Sequence, residues 1–189
     1  VVCKRCHVVR HDGEGLRNQL TPTYREPVRP IINKEKIMEK YTRPDWTEYF
    51  LDIAEAVGRR ATCLRRRYGA IIVKDRIIIS TGYNGAPRGE ANCLDTGICE
   101  RERLNVPKGQ NYELCVAVHA EQNAIINADP EKMEGATIYI SGRNADGSLA
   151  SGQPCLLCRR MLRNARIKNA VYRDVNGNIV DIEPKDITD

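Results

Sequence analysis

The residues of this chain best suited to chemistry are His119, Glu121 and the pair Cys155 and Cys158, which begins 36 positions after the histidine. One imidazole and two thiols form the donor set of a borderline-soft divalent metal, and zinc is the ion that such a set selects. Three protein ligands leave a fourth position for water, which separates a catalytic zinc from a closed structural one. Glu121 is near enough in sequence to sit beside that water without occupying the metal, and a carboxylate there can carry a proton to a substrate. The same residues also admit blander readings. These are a redox C-x-x-C pair, a core histidine unrelated to the thiols, and a closed structural zinc with Glu121 solvated. The joint pattern favours the catalytic centre.

Two helices must position these groups. The steps of Ala117, Ala120, Ala124, Ile125 and Ala128 predict a helix over 117–128 with His119 in its first turn. Pro154 is a helix-entry residue, so a second helix is expected from Cys155 to about Ala165, with Cys155 and Cys158 on one side. The unpaired amides and positive end of each helix favour thiolate and other anionic groups there.

Around these helices the chain reads as a folded domain over 43–183, preceded by an arm over 1–42 and followed by a polar tail over 184–189. The net charge of +5 resides wholly in residues 1–44, which hold ten Lys and Arg against five Asp and Glu. The remainder is neutral, which argues against a domain that grips long nucleic acid. A compact run of Arg59, Arg60, Arg65, Arg66 and Arg67 suits either a phosphate or a solvated helix end. In the arm, Cys3, Cys6, His7 and His11 are metal-ligand types at short spacing, enough for a small second tetrahedral site. The turn-rich stretch 18–30 suggests instead a poorly ordered segment. No apolar run nears the roughly 18 residues that span a bilayer, and no secretory signal is visible. With free thiols as metal ligands, a cytoplasmic location away from membranes is expected.

Asp45, with Glu48 three residues on, predicts a helix start, and Trp46, Tyr49, Ile53 and Val57, flanked by Phe50 and Ala54, its apolar face to about Arg60. Residues 69–73 and 77–81 form a strand hairpin about Lys74-Asp75-Arg76. The loop that follows, residues 82–89, is dense in turn formers. In it Asn84 offers a donor and an acceptor suited to a sugar hydroxyl, and Arg88 a cation for a phosphate; the bland reading of Asn84-Gly85 is a turn. Cys63, Cys93, Cys99 and Cys115 could hold a structural zinc or be ordinary buried thiols. A third strand is expected from 135 or 136 to 141, then a flexible insertion over 142–152 that either covers the site or decorates it. Strands at 171–174 and about 179–182 complete a mixed sheet with helices on its faces.

Three segments of this sequence, Thr62-Cys63-x-Arg65-Arg66, the stretch Gly82-Tyr83-Asn84-Gly85-Ala86-Pro87-x-Gly89, and Glu113-Leu114-Cys115 running on to His119-Ala120-Glu121-Gln122-Asn123-Ala124, together with Pro154-Cys155-x-x-Cys158, resemble the deoxycytidylate (dCMP) deaminase family of the cytidine deaminase-like superfamily. The likeness runs from about 43 to 174 and is most specific at the two metal segments. It implies an α/β fold, a three-layer α/β/α sandwich around a five-stranded mixed sheet, and hydrolysis of dCMP to dUMP and ammonia, supplying thymidylate synthesis. By the same resemblance His119, Cys155 and Cys158 hold Zn²⁺ and Glu121 shuttles protons between water, N3 of cytosine and the leaving amino group. Asn84 would bind the deoxyribose, and Tyr83, Gly85, Arg88 and Ala120 would help line substrate or effector sites. A homo-oligomer, with a hexamer favoured, activated by dCTP and inhibited by dTTP, is implied as well. Tyr112 departs from the histidine that relatives commonly carry there, and 142–152 is longer than in many. Rivals are a zinc-dependent deaminase of another nucleotide or nucleobase, and a catalytically silent zinc-stabilised assembly subunit.

Overall fold

A computed structural model of the chain describes residues 42–107 and 110–184. The arm residues Cys3, Cys6, His7 and His11 lie outside the described residues.

Asp45 opens helix α1 (Trp46–Gly58), its carboxylate accepting from the Glu48 amide at 2.8 Å. The buried face consists of Phe50, Leu51, Ala54 and Gly58, rotated from the expected one. Trp46 and Tyr49 are 41% and 43% exposed, and Trp46 stacks on Phe50 under the Arg76 guanidinium. The indole thus roofs the core edge, where its ring stays half wet and a cation covers it.

Strands β1 (Arg66–Lys74) and β2 (Ile77–Tyr83) pair antiparallel through a two-residue turn in which Asp75 and Arg76 both have positive φ. That is the turn whose twist matches a hairpin. Both strands outrun their β-branched stretches. Arg66, Arg67 and Tyr68 join β1 because β3 (Thr137–Asn144) supplies partners as far as Asn144. The one-turn helices α2 (Cys93–Thr96) and α3 (Glu100–Arg103) and a 3-10 turn at Tyr112–Leu114 follow β2. Helices α4 (Ala120–Asn127) and α5 (Pro130–Met133) then lead to β3. Residues 142–152 are not a loose insertion: β3 turns back as β4 (Leu149–Ala150), and Asp146 accepts from the Ser148 amide and hydroxyl to close the turn. Helix α6 (Leu156–Asn164) crosses to β5 (Asn169–Arg173), and β6 (Ile179–Ile182) ends the sheet.

The strand path is β2-β1-β3-β5-β6, with β4 paired to β3; β3 and β5 are parallel and the remaining pairs antiparallel. Side chains alternate across β1. Ala70 and Ile72 join Ile138, Ile140, Ala124 and Leu162 beneath α4 and α6, while Ile71 and Val73 meet Phe50 and Ala54 of α1. The helices lie on both faces of a mixed sheet, the expected three-layer architecture. At Gly82 an added Cβ would run into the backbone of Ala120 and Ala124, so this glycine lets α4 approach β2 closely.

Candidate metal centre and catalytic cavity

Both metal helices start one or more residues later than their apolar patterns suggest, which puts His119 and Cys155 at the N-cap positions of α4 and α6. Their extended backbone turns each side chain back over the first turn of its helix. The His119 amide donates to Gln122 Oε1 at 2.9 Å, and Gln122 Nε2 reaches Met161 Sδ at 3.5 Å, tying α4 to α6. The segment before His119 is fixed by a two-bond bridge, Gly85 N to Val118 O at 3.2 Å and Val118 N to Gly85 O at 2.8 Å.

The Nδ1 atom of His119 lies 3.6 Å from Cys155 Sγ and 3.4 Å from Cys158 Sγ. All three ligand atoms fall within 4.8 Å of one another, the one such group among the described residues. Tetrahedral zinc with its usual Zn–S and Zn–N bond lengths requires N···S edges of roughly 3.6 Å, so the donor types and their spacing fit that ion. Without it, Cys155 and Cys158 share protons unequally. The bond from Cys158, with help from His119, brings the Cys155 thiol down to about 4, while the same bond and burial push the Cys158 thiol up. The bond to Cys155 raises the His119 pKa against the opposing effect of burial.

Glu121 is 6% exposed in the first turn of α4. Burial pushes its carboxyl above the ordinary range, against the pull of its own backbone amide and His119. It faces a cavity of about 170 Å³ that His119, Ala120, Cys155, Asn84, Tyr68 and Arg66 help to line. Asn84 is buried, with Oδ1 accepting from the Tyr68 amide at 2.7 Å and Nδ2 donating to the Arg66 carbonyl at 3.0 Å. Those bonds staple the 82–89 loop to β1 and leave one donor and one acceptor of the amide. Tyr83, Gly85 and Arg88 are not among the cavity-lining residues. The Tyr83 carbonyl accepts from Asn123, Gly85 packs against Thr62, and Arg88 bonds Asn127 at 2.7 Å.

The arginine run is divided by the structure. Arg65 and Arg66 both line the cavity, Arg65 while paired with Glu102 at 3.2 Å, and Arg67 lines a separate cleft with Ser141 and Arg143. Cys63, Cys93, Cys99 and Cys115 are free thiols that all border the cavity. Sequence reasoning missed Tyr68 and Arg101. Tyr68 sits at the charged end of a strand, and Arg101 lies in a polar stretch without periodicity; only its place between two cysteines marked it.

A helix-and-sheet sandwich with an N/S/S ligand set and a buried carboxylate beside it defines a zinc-dependent hydrolytic site. Residues 44–174 match the family described as the cytidine and deoxycytidylate deaminase zinc-binding region. Deoxycytidylate deaminase of Mycobacterium phage D29 is 42% identical over 137 residues, covering 69% of this chain and 96% of that protein. The Saccharomyces cerevisiae deoxycytidylate deaminase is 32% identical over 169 residues; the match spans 89% of this chain and half of the yeast protein. The crystal structure of a dCMP deaminase from cyanophage S-TIM5 in complex with dCMP and dUMP superposes with a TM-score of 0.52 at 27% identity, over 72% of this chain and 90% of that one. The chain belongs to the cytidine and deoxycytidylate deaminase family and is a zinc-dependent deaminase.

Proposed function

We propose that this protein hydrolyses dCMP to dUMP and ammonia through the domain over 43–183. The observation that carries this reading is the buried Glu121 beside the His119, Cys155 and Cys158 triad, on the wall of a cavity that also presents Asn84 and Arg66. The phage and yeast relatives named above supply the substrate.

His119 Nδ1 and the two sulfurs would hold zinc, which supplies Lewis-acid activation of water. Glu121 would accept a proton from the attacking water and deliver it to N3 of the cytosine as C4 is attacked. Glu121 would then take the proton of the new C4 hydroxyl and pass it to the 4-amino nitrogen, so that the C4–N bond breaks, ammonia leaves and C4 becomes a carbonyl. Burial keeps bulk water from competing for these transfers. Asn84 holds the deoxyribose with its remaining donor and acceptor, and Ala120 packs beside the base. Tyr83 and Arg88, exposed on the loop, belong to an effector-facing surface, with Gly85 buried beneath against Thr62. There dCTP would activate and dTTP inhibit a homo-oligomer, a hexamer by the family resemblance. A cytoplasmic role supplying dUMP for thymidylate synthesis follows from that reading. Among the described residues no helix is long and apolar enough to cross a membrane.

The test is ammonia release from dCMP, CMP, deoxycytidine, dCTP and cytosine, each with and without dCTP and dTTP as effectors. Selective turnover of dCMP supports the assignment, and a nucleotide effect supports the regulation. Zinc-loaded protein inert on every cytosine compound would remove the substrate assignment.

A further inference from the structure

We propose that Arg101 is a positioning residue that holds the His119 imidazole through the ring of Tyr112. Arg101 is a buried cation, 7% exposed, on the one-turn helix α3. Its guanidinium bonds backbone rather than carboxylate: Nη1 donates to the Asn111 carbonyl at 2.6 Å and Nη2 to the Pro107 carbonyl at 2.9 Å. Among the described residues its acidic neighbours are engaged elsewhere, Glu100 with Arg103 and Glu102 with Arg65. A buried charge without an ionic partner is retained where its geometry is needed.

That geometry leads to the metal centre. By gripping the carbonyls of Pro107 and Asn111, the planar fork fixes where Tyr112 begins its turn, directly after Asn111 in its left-handed conformation (φ 44°). The guanidinium carbon then stands 5.2 Å from the centroid of the Tyr112 ring. The same ring meets His119 edge-on, with centroids 5.6 Å apart and planes at 76°. Arg101, Tyr112 and His119 are therefore consecutive members of one stack along the cavity wall. The imidazole presents Nδ1 to the sulfurs only in one ring orientation, and the edge-on contact with Tyr112 restrains that orientation. The ring of Tyr112 matters here and its hydroxyl does not. A lysine cannot replace Arg101, because an ammonium lacks the flat fork that reaches two carbonyls and a π face together.

The inference rests on His119 being a metal ligand, so its test reads the metal directly, on the full chain. In the Co(II)-substituted enzyme, R101K and Y112L should each shift the visible d–d bands, and their zinc forms should lose metal to a chelator about tenfold to hundredfold faster than wild type. Y112F should match wild type in both. The double variant R101K/Y112L should be no worse than Y112L alone, since both act through one chain of contacts. Wild-type spectra and metal retention in R101K and Y112L would overturn the proposal, as would additive effects in the double variant. So would an R101K enzyme with only a raised KM for dCMP and an unchanged one for deoxycytidine, which would make Arg101 a phosphate contact. If even wild type shows no thiolate-to-cobalt charge-transfer band, the ligand assignment of His119, Cys155 and Cys158 falls first.

Discussion

Helices α4 and α6 each lend an N-terminus to the metal centre, yet they are held by different forces. Helix α4 is tied down by directional bonds. Ser80 Oγ donates to the Ala124 carbonyl at 2.7 Å, Asn123 to the Tyr83 carbonyl at 2.7 Å, and Asn127 to the Thr81 carbonyl at 3.0 Å. Helix α6 is held by burial: Cys158 and Leu162 are fully enclosed and Arg159 is buried beside them, while Leu156, Leu157, Arg160 and Arg163 face outward. Hydrogen bonds fix angle and register, whereas apolar burial is nondirectional. The helix that must aim an imidazole and a carboxylate is therefore the one gripped by directional contacts, and the helix that brings two adaptable thiols is the one packed by volume.

The comparison breaks most visibly at Glu121. Glu121→Gln should lower dCMP turnover by about a hundredfold to ten-thousandfold while zinc content by metal analysis stays at wild type; near-normal ammonia release would remove the proton-carrying role. On α6, Leu162→Ala should cost about 2–5 kcal/mol of stability by denaturant unfolding, with kcat of the folded protein changed only a few-fold. A greater loss in kcat than in stability would mean that α6, too, is an aiming element. The two caps can be compared by pH. In the metal-free site Cys155 is ionised above about 4, whereas Cys158, its pKa raised, keeps its proton through neutrality. Ligation by both thiolates releases that proton, so zinc affinity should rise about tenfold per pH unit, and more steeply where His119, whose pKa is also raised, is still protonated. Chelator competition across a pH series measures this, and a flat profile would contradict it. The smallest effect is expected from Ser80→Ala, about 1 kcal/mol of stability. For that modest loss kcat should fall by more, per kcal/mol, than in Leu162→Ala, because the bond removed is one that aims α4.

The cluster of His119, Cys155 and Cys158, with Glu121 beside it, was legible in the sequence because zinc needs particular atoms at close quarters, and few residues supply them. The strands were legible as well, since β-branched runs such as Ile71–Val73 and Ile77–Ile79 favour an extended, paired backbone, even though Ile77 and Ile78 stay exposed. Less was visible where tertiary partners decide. Arg66 to Tyr68 carry no strand signal of their own and are drawn into β1 by residues 142–144. Residues 142–152, rich in turn formers, read as a loose insertion because a two-residue strand leaves almost no pattern. Trp46, the largest apolar side chain of α1, was expected inside and lies at the rim, since Phe50 and Leu51 already fill the space against the sheet. Arg101 was passed over because its partners are carbonyls, which every residue possesses.

The division of Arg66 and Arg67 between two surroundings has a consequence for how this gene can drift. A strand that places one arginine at the cavity and the next on the opposite face cannot gain or lose a codon there without exchanging the two. The irregular pairing at Ile72/Val73 separates that stretch from the turn at Asp75 and Arg76. Length changes should accumulate at the turn and be purged between Arg66 and Ile72, so that one hairpin carries both a freely edited end and a frozen one.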